Sequence, residues 1–232
     1  ISIIAANQGS TFLVSNFSNN FAKLAGGAIA ATAANYGCQI IRSILVNNRV
    51  TPVSPGKGGA IYMENANGIG SFLSKNQLGL ESLELNGNQA YQGGAIYLGE
   101  KNAVDSKHIS CHDNVASQSG GCIYVGNANN VTFRSYIFSN NYAGFGCGAI
   151  EFFNENVGVL DSVTFNKNVA GSSGGALCIF GGSNITIDDH NGKNTTFIDN
   201  KASDVGGAIV FFNAPFMEVR EAIHVIAQGN SA

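Results

Sequence analysis

Two acidic residues and a histidine, Asp188, Asp189 and His190, are the group in this chain that most resembles catalytic machinery. Glycoside hydrolysis needs two carboxyl groups across a cleft, one protonated as the acid and one acting as base or nucleophile. The group is followed by an Asn-Gly pair, which is typical of turns, and no partner acidic motif accompanies it. We therefore interpret it as an exposed polar turn, and we expect the chain not to be an enzyme.

Cysteine is the other residue type that could carry chemistry, and the chain has five of them. They form no CxxC pair and no histidines stand at metal-ligand spacing, so neither a metal site nor a cofactor is expected. Three of them replace small or apolar residues of a repeated pattern described below, which favours thiols used as core side chains. One disulfide pair remains an open alternative. The five are Cys38, Cys111, Cys122, Cys147 and Cys178.

The chain consists of repeated units. Residues 120–146 and 147–173 align without a gap, and each unit begins with a small-residue turn and an apolar strand and closes on F-x-x-N-x-A. Repeats of this length predict a solenoid, in which stacking of the units supplies the core. We therefore expect one domain spanning 1–232, a fragment of a longer protein.

A glycine pair followed by a branched apolar residue opens each repeat. Paired glycines suit a corner where the backbone needs positive φ or close approach to the next coil. The pairs are Gly26 and Gly27, Gly58 and Gly59, Gly93 and Gly94, Gly120 and Gly121, Gly174 and Gly175, and Gly206 and Gly207. Cys147 takes the place of the first glycine in one repeat.

The second repeated element ends in asparagine in every copy. Asparagine tolerates left-handed backbone geometry, and identical amides stacked from coil to coil can form a hydrogen-bonded ladder. Copies that carry phenylalanine at the start are Phe17 to Asn20, Phe138 to Asn141, Phe165 to Asn168 and Phe197 to Asn200. We interpret these residues, like the glycine pairs, as structural.

A third apolar stretch lies between these two elements, as in 131–133 and 158–160, so each coil should hold three short strands. Short strands with tight corners and no helical periodicity predict an all-β fold, a right-handed parallel β-helix of about seven to eight coils. Longer spacings predict inserted loops around 49–57, 73–82, 188–195 and 220–224.

Seven ordered copies of GGA[ILV] and FxxN make residues 17–230 resemble the chlamydial polymorphic membrane proteins, an autotransporter family. The resemblance implies a β-helical passenger at the bacterial cell surface or outer membrane, or secreted, that attaches to host cells. In that family both motifs are associated with adhesion, which would point to residues such as Gly93, Phe138 and Asn141. Side chains that fill a core cannot touch a receptor, however, so we expect the motifs to support the adhesin and not to contact its receptor.

The partner predicted on this basis is a host cell-surface receptor, either protein or glycan. Charged residues make up 12% of the chain and its net charge is −3, which gives no basic field for nucleic acid. Association through the open ends of the rod is a further expectation. The alternatives are a structural surface rod without a receptor and a polysaccharide-processing β-helix enzyme.

The candidate receptor contact is a row of tyrosines on the outside of the first strand. Tyr62, Tyr97 and Tyr124 stand at the same outward position of three successive coils and should stack. Tyrosine is enriched in binding hot spots, and the predicted loops at 49–57 and 73–82 belong to the same coils. Stacking that merely stabilises the rod is the alternative interpretation.

Overall fold

The fold is a parallel β-solenoid with four sheets along its length. The computed structural model describes residues 1–3, 7–8, 11–32, 35–36, 39–65, 77–188, 194–213, 216–219 and 226–232, and these contain strands and corners but no helix. Strands are numbered in chain order, and sheets 1 to 4 are named in the order in which each turn visits them. Every pairing between turns is parallel.

Sheet 1 consists of β1 (Ser2–Ile3), β6 (Ile29–Ala31), β11 (Ile61–Asn65), β15 (Ile96–Glu100), β19 (Ile123–Asn127), β23 (Ile150–Asn154), β27 (Leu177–Phe180) and β31 (Ile209–Phe212). Sheet 2 consists of β3 (Thr11–Leu13), β8 (Gln39–Ile41), β12 (Gln77–Glu81), β16 (Ala103–Lys107), β20 (Asn130–Arg134), β24 (Val157–Asp161), β28 (Asn184–Asp188) and β32 (Phe216–Val219).

Sheet 3 consists of β4 (Asn16–Ser18), β9 (Ile44–Val46), β13 (Glu84–Asn86), β17 (Ser110–His112), β21 (Ile137–Ser139), β25 (Thr164–Asn166), β29 (Thr196–Ile198) and β33 (Ile226–Gln228). Sheet 4 consists of β5 (Phe21–Ala22), β10 (Arg49–Val50), β14 (Gln89–Gln92), β18 (Val115–Ser119), β22 (Tyr142–Ala143), β26 (Val169–Ala170) and β30 (Lys201–Ala202). A separate pair joins β2 (Asn7–Gln8) to β7 (Asn35–Tyr36).

The prediction of three strands per coil is wrong, because each complete turn has four strands. The residues after each asparagine, such as Tyr142–Ala143, form the short strands of sheet 4. Two-residue strands have too little alternation to be recognised from sequence. From β6 to β30 the chain makes about six turns that reach all four sheets, slightly fewer than the predicted seven to eight, and strands from 1–22 and 209–228 flank them.

Identical residue types lie above one another because the register of the sheets follows the repeat. Ile96, Ile123 and Ile150 are paired in successive strands of sheet 1 and are buried. In sheet 3 the rings of Phe138, Phe165 and Phe197 stack with centroids 5.1 Å and 4.7 Å apart, and all three are fully buried. The core is thus a set of parallel columns, each supplied by one repeat position.

The predicted asparagine ladder is present at the corner between sheets 3 and 4. The Asn168 backbone N–H and side-chain amide both donate to the Asn200 Oδ1, at 3.0 and 2.9 Å, and its Nδ2 also donates to the Phe138 carbonyl at 3.0 Å. Asn141 repeats the pattern toward Asn168. Each of these amides therefore satisfies a backbone carbonyl and a backbone N–H of the preceding turn.

The left-handed residue at this corner is not the asparagine, as the sequence interpretation assumed, but the residue before it. Asn140 has φ 54°, and the equivalent residues of the other turns share this geometry although they are of four different types: Asn19, Asn47, Gly87, Asp113, Lys167, Asp199 and Gly229. The ladder asparagine is left free to place its amide inside the corner. Asparagine is therefore required at this position for the hydrogen bonds of its amide and not for a left-handed φ.

A second amide ladder, which the sequence interpretation missed, lies at the corner between sheets 1 and 2. Asn102 donates to Asn129, Asn129 to Asn156, and Asn156 to the Ser183 hydroxyl, in each case from the backbone N–H and the side chain. All four residues are buried. Their spacing of one repeat was the signal that could have revealed them.

The glycine pairs form the corner before sheet 1. Gly120 has φ 65°, and a Cβ on Gly121 would collide with the carbonyl oxygen of Gly148 in the next turn. Cys147 adopts φ 55° at the first position of its pair, a left-handed conformation that costs a non-glycine residue about 1–2 kcal/mol.

Four of the cysteines form two disulfides, so the interpretation of these residues as free core thiols is wrong. Cys111 joins Cys122 with Cα atoms 6.5 Å apart, and Cys147 joins Cys178 with Cα atoms 5.5 Å apart. The second bond links adjacent turns at the strained Cys147 corner. Cys38 lies outside the described residues.

The predicted insertion at 73–82 is wrong in its second half. Gln77–Glu81 form β12, where Leu80 is buried in the core, because Leu78 and Leu80 continue the alternation of a strand. Residues 73–76, 189–193 and 220–224 lie outside the described part of the chain. At 49–57 the first two residues form β10, and Thr51 to Lys57 form the loop.

Removal of one ladder amide should destabilise the whole solenoid. Asn168→Ala leaves the Phe138 carbonyl and the Asn141 donors without partners, which costs on the order of 1–3 kcal/mol. Thermal and denaturant unfolding measure the loss. Asn166→Ala is the matched control, since Asn166 is the last residue of the strand before this corner and lies outside the ladder, and equal stability of the two variants would contradict the ladder's role.

Candidate functional site

The tyrosine row on the outer side of sheet 1 is stacked, but it is hardly exposed. Tyr62, Tyr97 and Tyr124 are paired in register, with ring centroids 5.5 Å and 5.1 Å apart and the second pair nearly parallel. Their exposed fractions are 6%, 8% and 5%. The stacking of the rings is as predicted, and the rings form a small second apolar cluster with Ala25 and Ala30.

The corner before sheet 1 partly covers these rings. Lys57, the last residue of the 51–57 loop, places its Nζ 4.6 Å from the centre of the Tyr97 ring, a cation–π contact. The same loop is held to sheet 4, where the Ser117 hydroxyl donates to the Pro52 carbonyl. Lys57 thus brings this loop into contact with the tyrosine row, while the rings themselves are largely covered.

Ionisation of the row is suppressed by its burial. Burial and then the Glu64 carboxylate raise the pKa of Tyr62 well above its ordinary value, and burial and then Glu151 do the same for Tyr124. Both hydroxyls thus stay protonated at physiological pH and remain able to donate and accept hydrogen bonds.

Glu151 continues the row in the next turn, where it pairs in register with Tyr124 on one side and Cys178 on the other. Its Oε2 lies 3.2 Å from the Sγ of Cys147. Burial raises the pKa of Glu151 to about 7, and a hydrogen bond with Ser119 opposes part of that effect. A buried carboxyl group beside a disulfide therefore changes charge near neutral pH.

A second outward row runs beside the tyrosines and contains a hollow. Glu64 and Phe153 stand at the two ends of the hollow, and Gly99 and Gly126 occupy the turns between them. A Cβ on Gly99 would collide with the Glu64 carbonyl and one on Gly126 with the Gly99 carbonyl. The close approach of the backbones thus requires glycine, and the missing side chains leave the hollow.

The sides of the hollow carry polar groups. One side is formed by the edges of Tyr97 and Tyr124, and the other by Glu100 and Asn127. The Asn127 Nδ2 donates to the Glu100 Oε1 at 3.2 Å. Sequence analysis missed the hollow, although two glycines at one strand position between Glu64 and Phe153 were the available signal.

The aromatic end of this row is the exposed part of the face. Phe153 is 47% exposed and stacks on Tyr124 with the ring centroids 6.1 Å apart, and Phe212 in the last turn is 62% exposed. These two phenylalanines therefore lie on the outside of the stack.

The acidic group considered for catalysis lies only in part within the described residues. Asp188 is the last residue of β28, while Asp189 and His190 lie outside the described residues. Among the residues that are described, no group of three or more His, Cys, Asp or Glu side chains could hold a metal ion.

Residues 82–99, 162–179 and 194–211 match the family model of the Chlamydia polymorphic membrane protein repeat. The chain carries polymorphic membrane protein repeats. Each match begins two residues before a strand of sheet 3, passes the ladder asparagine and the glycine pair, and ends in sheet 1. The repeat of polymorphic membrane proteins is thus the half-turn that contains both the phenylalanine column and the tight corner.

No curated protein and no solved structure matches the chain. The described residues contain no helix that is long and apolar enough to cross a membrane. The family to which the repeats belong is one of outer-membrane or surface proteins.

The buried Glu151 predicts a pH-dependent stability. Its carboxyl group ionises near pH 4.5 when unperturbed and near pH 7 in the fold, so folding takes up a proton between these values. The stability that the fold gains from a protonated Glu151 is fully present below pH 4.5 and is lost as the pH rises through 7. Glu151→Gln, which cannot ionise, should therefore be more stable than the parent by on the order of 1–3 kcal/mol at pH 8.

Denaturant unfolding of both proteins at pH 5, 6, 7 and 8 measures the effect, with the disulfides kept oxidised. The advantage of Glu151→Gln should grow with pH. Glu155→Gln is the control at an exposed position, and it should follow the parent. Parallel curves for the parent and Glu151→Gln would show that the carboxyl group ionises normally.

Proposed function

We propose that this chain is a surface-exposed passenger segment of an autotransporter and an adhesin that binds host cells without catalysis. The polymorphic membrane protein repeats support this family role. A stiff stack of turns suits an adhesin, because the stack presents one continuous outer surface built from successive repeats.

The observation that carries the proposal is that the repeat residues face inward. Phe138, Phe165 and Phe197 and their asparagines are fully buried, so a receptor cannot touch them in the folded chain. Loss of a motif would then reduce adhesion by unfolding a turn. Recognition is left to outward positions, which differ from turn to turn.

The outer side of sheet 1 is the contact surface that we favour. It combines Tyr62, Tyr97 and Tyr124, which line the hollow between Glu64 and Phe153, with the exposed ring of Phe153. Aromatic groups with polar tips contribute much of the binding energy in protein recognition sites. The contact area thus extends beyond the three tyrosines to the second row.

A structural rod is the second candidate function, and the parallel stacking of Tyr97 on Tyr124 favours it, because such stacking stabilises neighbouring turns in the absence of a ligand. Exposed apolar side chains at both ends of the stack, Leu13 and Val14 in the first turns and Phe211 and Phe212 on the edge strand β31, support association of rods end to end.

Binding of the purified chain to cultured host cells separates these candidates. The adhesin should bind saturably, and replacement of Tyr62, Tyr97 and Tyr124 together by Phe should weaken binding about tenfold or more, since it removes three hydroxyls and keeps the packing. Replacement by smaller residues is unsuitable because it would open cavities. Tyr142→Phe, on the exposed surface of sheet 4, is the control. A parent protein without saturable binding would leave the structural rod as the better account.

A further inference from the structure

The hollow on the outer side of sheet 1 has the size of a small-ligand site. Its volume is about 300 Å³, at the lower end of the range for ligand pockets. The floor is backbone at Gly99 and Gly126, where no side chain can be introduced without a collision. Such a floor is rigid, so the hollow is preformed and does not have to be opened by a ligand.

The groups around the hollow match the surface of a sugar ring. A pyranose presents hydroxyls that both donate and accept hydrogen bonds, and an apolar C–H face. The Glu100 carboxylate and the Asn127 amide, joined at 3.2 Å, place acceptors and a donor side by side. Phe153, nearly half exposed at one end of the hollow, offers an aromatic face for the C–H groups.

The charges around the hollow select against ionised ligands. Glu64 and Glu100 are both exposed carboxylates and would repel an acidic sugar, a sulfate ester or a phosphate. The two carboxylates would attract a cation, but the Lys57 ammonium also lines the hollow, 4.6 Å from the centre of the Tyr97 ring, and would repel it. A neutral ligand meets no repulsion from either sign of charge.

We infer that the hollow between Glu64 and Phe153 is a binding site for a neutral pyranose sugar. Glu100 and Asn127 bind its hydroxyls, and Phe153 packs on its apolar face. The inference rests on the proposed function, since it names a neutral glycan as the receptor class for the same face. One shallow site of this size binds a monosaccharide weakly, so firm attachment to cells requires several copies of the chain.

Saturation-transfer NMR on the purified chain tests the site with methyl β-galactoside, methyl β-glucoside and N-acetylglucosamine as neutral probes. At least one should receive saturation from the protein, and Phe153→Ala and Asn127→Ala should each weaken its binding about tenfold. Glucuronic acid and glucosamine, the acidic and basic counterparts, should bind less well. Circular dichroism and thermal melting check that the variants keep the fold.

Matched controls come from the same two rows outside the hollow. Phe212→Ala removes an exposed phenylalanine from the outward row of Phe153, and Asn154→Ala removes the amide that pairs in register with Asn127. Both should bind sugar like the parent. Absence of transfer to every neutral probe would overturn the inference, as would equal losses in the control variants or tighter binding of a charged sugar.

The cell-binding assay run in parallel keeps the two proposals apart. If cells bind through the tyrosine face while no neutral sugar binds, the adhesin proposal stands and the sugar site is overturned. If a neutral sugar binds and Phe153→Ala abolishes this, but cells do not bind, the sugar site stands and the adhesin proposal falls. Competition of the bound sugar with cells for the chain would support both.

Discussion

The fold depends on the satisfaction of backbone groups at corners that are buried between stacked turns. A buried N–H or C=O without a partner costs as much as a lost hydrogen bond, and a corner that repeats in each turn would incur that cost each time. The asparagine of each turn meets this requirement, since its amide accepts from the preceding turn and donates to a backbone carbonyl of that turn, as Asn114 does toward Asn88 and the Leu85 carbonyl. The register of all four sheets follows, because the ladder aligns every turn with the next.

This constraint separates the parts of the sequence that build the rod from those that can recognise a partner. Inside the stack every turn needs an apolar side chain such as phenylalanine or leucine, an asparagine and a tight corner at the same places. Outward positions are under no such requirement. The register row that holds Tyr97 and Tyr124 therefore continues as Glu151, Cys178 and Val210, and the chemistry of the surface changes along the rod while the interior stays constant.

Much of the fold could be predicted from the sequence because its signals recur. The repeated glycine pair and the asparagine indicate parallel turns and a ladder, and the all-β class and the stacking of the tyrosines follow from the same register. Sheet 4 was missed since strands such as Lys201–Ala202 are too short to alternate. The pairing of the cysteines could not be predicted from the sequence, because the bond between Cys147 and Cys178 depends on which turns are in contact. The hollow required knowing that Glu64 and Phe153 share one row and that the turns between them lack side chains.

Hydrogen exchange of the ladder amides tests whether the asparagine ladder holds the turns together. The backbone N–H groups of Asn88, Asn114 and Asn141 each donate to the side-chain oxygen of the next asparagine, at 2.9, 3.1 and 3.1 Å. If the ladder holds the turns together, these amides should exchange through global unfolding and be among the slowest in the protein. Exchange as fast as that of Val53 and Ser54 in the exposed 51–57 loop would show that the ladder does not hold the turns together.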